Sequence, residues 1–222
     1  LSHRQNPFAD SQAFQAERFV AVLEVKKGDV DIAQRGKQLR YLRMMKTRAD
    51  VERSLDELGT LSNVKEYSMA ISAWGRAGEH ERAFAVLEEM EARGVSPNAV
   101  SFGAAISACK PRGLWEKALA LLEEATSRGL EPDVIAYSSA ISVCETAGQW
   151  ERAVSLLYEM PGRGLQPNVY SFSSAISACE KAGQSDRALL LFQEMLSRGI
   201  EPDEISYATA ISACGRAGMI SL

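Results

Sequence analysis

Apolar residues recur along this chain with the period of an α-helix, and one stretch shows the pattern clearly. Tyr137, Ala140, Ile141 and Cys144 stand at i, i+3, i+4 and i+7, a single apolar stripe on one helix. Ala147-Gly148 ends that helix. Trp150, Ala153, Leu156, Leu157 and Met160 form the stripe of a second, which fades at Gly162 and closes at Gly164 before Pro167. The two-helix pattern then returns at fixed spacing: the segment AISAWGRAGEHERAFAVLEEMEARGVSPN from Ala70 aligns without gaps with segments from Ala105, Ala140 and Ala175, each 35 residues after the last, and a fifth copy opens at Ala210. Boundaries set after each Pro-Asn or Pro-Asp pair give repeats 64–98, 99–133, 134–168 and 169–203 and a half-repeat 204–222. Helices of about a dozen residues are marginal alone in water, so each stripe must be buried against its partner helix and the next unit. The expected fold is all-α, an α-solenoid (superhelix) of stacked antiparallel helix pairs.

The first 63 residues are less regular. The spacing predicts amphipathic helices over Ala13–Val25 and Ile32–Lys46, followed by ADVERSLDEL, which has the pattern of AGEHERAFAVL. Residues 35–63 therefore read as a degenerate, shortened repeat capping the array, and residues 1–34 as a helical extension. Lys37, Arg40, Arg43 and Lys46 make a basic stripe opposite Leu39, Leu42 and Met45. Phosphate, anionic lipid or an acidic protein surface would suit it, and so would plain solvent.

With 46% hydrophobic and 24% charged residues, the composition is that of a globular chain and excludes disorder and collagen. No apolar run approaches the roughly 20 residues of a membrane span, so a soluble chain with no membrane insertion is expected. The formal charge of -4 excludes a polycation, and any anion binding must come from local placement. The chain opens on Leu1 rather than Met, as expected of a trimmed or processed chain, and shows no signal peptide.

Several positions recur in every unit. A Tyr or Phe holds the fourth place (Tyr67, Phe102, Tyr137, Phe172, Tyr207), Ala-Ile the seventh and eighth, and Ala-Gly most helix turns. Arg/Lys-Ala opens the second helix, Met is common at its end, and Arg-Gly-x-x-Pro-Asp/Asn closes the unit. These units resemble the pentatricopeptide repeat (PPR) family in its P-type, 35-residue form, over residues 64–222. The signatures of tetratricopeptide and ankyrin repeats are absent.

The resemblance implies an organellar protein, of mitochondrion or chloroplast, that binds single-stranded RNA at about one base per repeat in RNA processing, stability or translation. In the family, the fifth and last residues of a repeat read the base edge. Here the pairs are Ser68 with Asn98, Gly103 with Asp133, Ser138 with Asn168, and Ser173 with Asp203. Family pairing takes Ser-Asn to adenine and Ser-Asp to guanine. Gly103 has no side chain to donate or accept, so the expected target is A-x-A-G. The same Asn and Asp residues immediately precede a helix, where they are favoured as N-caps, and capping alone is the competing account. The second place, which sandwiches the base in the family, holds Val100, Ile135, Tyr170 and Ile205, with Lys65 departing. Half-buried positions at a helix start are the competing account there. Arg76, Lys181 and Arg216 occupy the thirteenth place, where the family presents a phosphate-contacting cation, while Pro111 and Thr146 interrupt the series. First helices carry a basic excess and second helices an acidic one.

Cys109, Cys144, Cys179 and Cys214 share one place in successive repeats, with Trp74 in the first. Helices stacked about 8–10 Å apart disfavour both disulfides and a converging zinc site. Buried thiols in a reducing compartment are expected, with no metal. His3 and His80 are the only histidines, and no phosphate loop, deaminase pair or nucleophile elbow is present, so neither an enzyme nor a cofactor is expected. The alternative function is a structural scaffold subunit of an organellar ribosome or membrane complex, acting through protein or rRNA contacts.

Overall fold

The computed structural model describes residues 32–216; the expected helix Ala13–Val25 lies outside them. Among the described residues there are eleven α-helices and no strands. They fall into two compact units, one up to Pro97 and the other from Asn98.

The first unit holds α1 (Ile32–Leu42), α2 (Arg48–Leu58), α3 (Val64–Arg76) and α4 (His80–Ala92). Helix α1 stops short of the expected Lys46. The N–H groups of Arg43 and Met44 tighten onto Arg40 and Tyr41, and Thr47 then caps α2 by accepting from the Asp50 N–H. Arg43 and Lys46 thus stand outside the helix, and the basic stripe is not one helical face. Arg35 ties α1 to the rest, donating to Glu66 at 2.6 Å and 2.9 Å and to the carbonyls of Leu58 and Thr60 at 3.0 Å and 2.8 Å. Burial pushes the Glu66 carboxyl up, but Arg35 and Ser62 outweigh it and hold it below the usual carboxylate range.

The second unit holds α5 (Ala99–Ala108), a short 3-10 turn (Lys110–Arg112), α6 (Trp115–Ser127), α7 (Val134–Thr146), α8 (Trp150–Gly162), α9 (Val169–Lys181), α10 (Ser185–Ser197) and α11 (Glu204–Arg216). Pro111, which lacks an N–H, cuts α5 short of its counterparts. Each first helix packs on its own second helix and beside the first helix of the next repeat, so α5, α7, α9 and α11 form one layer; each second helix also packs on the following first helix. The stripes predicted from spacing make the core. Phe102, Tyr137 and Phe172, Ile106, Ile141 and Ile176, and Cys109, Cys144 and Cys179 are at most 1% exposed. Each such large side chain stabilises the stack by about 1.5–3 kcal/mol.

The Arg of each Arg-Gly pair has a packing role. Arg128, Arg163 and Arg198 lie 5.4–5.7 Å over the rings of Phe102, Tyr137 and Phe172 and pair with Glu124, Glu159 and Glu194 one turn back. The following glycine, such as Gly164 at φ 73°, then turns the chain where an L-residue would be strained.

Helix α11 repeats the stripe and packs on α9 and α10, but a second helix of its own repeat is not among the described residues. Tyr207 and Ile211 are exposed, and Cys214 is only half-buried, a departure from the four buried thiols expected. Burial pushes the Cys109 thiol to about 12 and those of Cys144 and Cys179 to about 11. Thiolate reagents at pH 8 should therefore modify Cys214 first and the other three only as the helices open. Quantitative thiol titration checks this, and four equally fast thiols would contradict the packing described.

Candidate nucleic-acid interface

Every first helix after α2 starts on an Asn or Asp whose side-chain oxygen accepts the N–H three residues on. The pairs are Asn63 with Glu66, Asn98 with Ser101, Asp133 with Ala136, Asn168 with Ser171, and Asp203 with Ser206. One side-chain atom does this work. In Asn98 and Asn168 the cap occupies Oδ1 and leaves the Nδ2 amide, a donor, without a partner among the described residues; in Asp133 it leaves Oδ2, an acceptor. Capping and recognition are therefore compatible in one residue.

The fifth-place partners differ from repeat to repeat. Ser68 belongs to the first unit and donates back to the Val64 carbonyl at 2.8 Å, whereas Asn98 opens the second unit. Gly103 sets a bare backbone beside Ala136; a Cβ there would meet the Ala136 Cβ at 3.8 Å, ordinary contact. Ser173 is fully engaged, donating toward the Val169 carbonyl at 2.8 Å and Asp203 Oδ1 at 3.0 Å and lying 2.7 Å from the Ser206 hydroxyl. Burial pushes the Asp203 carboxyl up, but Ser206 and Ser173 overcome this and hold it below the usual range. Ser138 is the opposite case. It is 1% exposed, and its Oγ has no hydrogen-bond partner among the described residues.

Val100, Ile135, Tyr170 and Ile205 stand one step into their helices and are 45–68% exposed, more open than the half-buried positions usual at a helix start. Tyr170 also accepts from Lys110 Nζ at 3.0 Å and donates to Ser142 Oγ at 3.0 Å, with Lys110 5.5 Å from its ring. The thirteenth-place cations are all engaged. Arg76 donates to the Leu42 carbonyl at 2.8 Å, Lys181 pairs with Glu145 at 2.9 Å, and Arg216 pairs with Glu180 at 3.0 Å. Among the described residues no cluster of ligating side chains could hold a metal, and no helix is long and apolar enough to cross a membrane.

A family model described as the pentacotripeptide-repeat region of PRORP matches residues 105–221, and one described as the PPR repeat family matches residues 62–111. The chain belongs to the pentatricopeptide repeat family. No curated protein matches it individually. Among solved PPR structures, PPR10 in complex with an 18-nt psaJ RNA element superposes with a TM-score of 0.73 at 24% identity, over 97% of this chain and 36% of that one. PPR10 from maize gives 0.67 at 27% identity, over 93% and 31%. The PPR domain of Arabidopsis thaliana protein-only RNase P 1 in complex with tRNA gives 0.62 at 15% identity, over 71% and 83%. The chain spans about a third of the length of PPR10.

Three features of this PPR surface escaped the reading of the sequence. The third-place residue of the next repeat adds a side-chain hydroxyl to the last-place carboxylate at Ser206 but not at Ala136; Lys110 reaches Tyr170; and Glu145 and Glu180 neutralise the cations. The last was signalled by the acid one place before the cation, one repeat earlier. Since Asn and Asp cap equally well, Asp133→Asn should change stability by only a few tenths of a kcal/mol, and Asp133→Ala should cost about 1 kcal/mol in urea denaturation. Equal losses would mean that charge, rather than cap geometry, holds the position.

Proposed function

We propose that the chain is a noncatalytic organellar PPR protein that binds single-stranded RNA at about one base per repeat, preferring A-x-A-G, and serves RNA processing, stability or translation. The observation that carries this reading is the row of exposed large apolar side chains, Val100, Ile135, Tyr170 and Ile205, one per repeat beside a capped Asn or Asp. Bases stacked on such a row would cover apolar surface otherwise left in water. The caps supply the matching polar groups: a free amide donor on Asn98 and Asn168, and a carboxylate acceptor on Asp133. Lys181 and Arg216 form the phosphate side of the second unit, and Arg76 holds the same place in the first, each held back by its protein partner.

Ser138 supports the reading further. A buried hydroxyl without a partner costs about 1–3 kcal/mol, and turning it outward to an adenine edge read with Asn168 would supply the missing bond. Ile135 of its own repeat and the aromatic Tyr170 of the next would be the walls of the sandwich. At about 1–3 kcal/mol per stacked base before ordering costs, a handful of bases gives micromolar affinity or weaker. The chain is expected to act with further repeats or partners.

Two substitutions test this by fluorescence anisotropy and thermal melting. Ser138→Ala should weaken binding to A-x-A-G RNA by about fivefold, roughly 1 kcal/mol, while leaving thermal stability unchanged or higher, because the wild-type hydroxyl is unsatisfied. Gly103→Ser has room for its Cβ beside Ala136 and should add a preference for guanine at the second base, making the best target A-G-A-G. If neither variant moves RNA affinity, assignment shifts to the structural subunit of an organellar assembly.

A further inference from the structure

The charges on the first-helix layer follow a rule that RNA reading alone does not require. By repeat register, the twelfth place of one unit faces the thirteenth place of the next. Glu145 stands against Lys181 and Glu180 against Arg216, whereas Lys110, a cation, stands against uncharged Thr146. In the second unit a phosphate-place cation thus occurs only where the preceding repeat supplies an acid.

The geometry makes each acid the fixed member of its pair. Oε1 of Glu145 accepts from Ser177 Oγ at 2.8 Å and from Lys181 Nζ at 2.9 Å. Oε1 of Glu180 accepts from Ser212 Oγ at 2.6 Å and lies 3.0 Å from the Arg216 guanidinium, which also donates to the Glu180 carbonyl at 2.9 Å. The carboxylate side chains are 16% and 12% exposed, while those of Lys181 and Arg216 are 56% and 54% exposed. Serine anchors the acid, and the cation reaches across to it from the solvent side.

We propose that Glu145 and Glu180 attenuate the chain's grip on phosphate, keeping it off RNA of the wrong sequence so that retention depends on base contacts. The inference rests on the RNA-binding reading above. Affinity for a single strand falls with salt at a slope of about -0.7 per phosphate neutralised. A cation that must leave a carboxylate to meet a phosphate contributes little to that slope. Because the cation of each pair is more than half exposed, solvent screens the attraction and the pair adds modestly to folding stability, so the acids act mainly on binding.

The test compares the full chain with Glu145→Gln, Glu180→Gln and the double variant, in anisotropy titrations with oligo-U and with A-x-A-G RNA. Glutamine keeps an oxygen for Ser177 or Ser212 but loses the charge. Glu123→Gln with Glu151→Gln, exposed acids on second helices, is the control for net charge. The double variant should bind both RNAs more tightly and steepen the salt slope by about 1.4, so its gain at 50 mM salt is about sevenfold larger than at 200 mM. Each single variant should give about half the change in slope, and the control none. Equal changes in double variant and control, or an unchanged slope, would overturn the proposal and leave the acids as staples between repeats. If the wild-type chain binds neither RNA at 50 mM, the RNA-binding reading fails by itself; oligo-U binding gained by the double variant still supports attenuation, and none overturns it.

Discussion

Burial of one short apolar stripe per repeat is the constraint on which the rest of the second unit depends. Tyr137, Ile141 and Cys144, and their counterparts one repeat away, are removed from water only when consecutive first helices lie side by side in fixed register. No single helix of 13 residues, such as α7, would hold its shape alone. Stacking that satisfies the stripe carries every other position along at the same repeat. The second, fifth, thirteenth and last places of each unit are thereby set in rows without a hydrogen bond specifying the rows themselves. Arg163 over the Tyr137 ring, paired with Glu159, closes the stripe at its end and shows why Arg-Gly recurs where second helices stop.

Within those rows, helix capping engages one atom of the Asn98, Asp133 and Asn168 side chains and leaves another open to a ligand. An Asn or Asp must stand at each first-helix start because the opening N–H groups have no partner in the helix. The cap uses one oxygen and orients what remains, an amide donor in Asn168 and a carboxylate acceptor in Asp133. The choice between residues of equal capping strength is then free to encode a donor or an acceptor. Asp203 shows the limit of that freedom, since its carboxylate also draws in Ser173 and Ser206, whereas Ser171 bonds the Asn168 backbone and Ser138 is left unsatisfied.

Most of the fold was legible from spacing, because buried stripes, Gly turns and Asn/Asp starts are local signals repeated several times. The end of α1 at Leu42 was not, since Thr47 and Asp50 start a new helix inside an apolar pattern that continues past it. Exposure of Tyr207 and Ile211 likewise depends on what packs against α11 rather than on α11 itself. At the interface, the residue types at the second, fifth and last places could be read, but not their states. Ser138 and Ser173 are the same residue at the same place, and only the three-dimensional neighbours separate a free hydroxyl from a tied one. The ion pairs of Lys181 and Arg216 cross from one repeat to the next, so their signal in the sequence is visible only when successive repeats are aligned.

The central claim is that capped Asn/Asp residues and exposed apolar neighbours together read bases. Its most direct test is fluorescence anisotropy of the purified wild-type chain with A-x-A-G RNA against oligo-U at one fixed salt concentration. The account predicts tighter binding to A-x-A-G by about tenfold or more, the return from even one or two recognised bases. Equal affinity for both, or none for either, would contradict it and leave the Asn and Asp residues as helix caps alone.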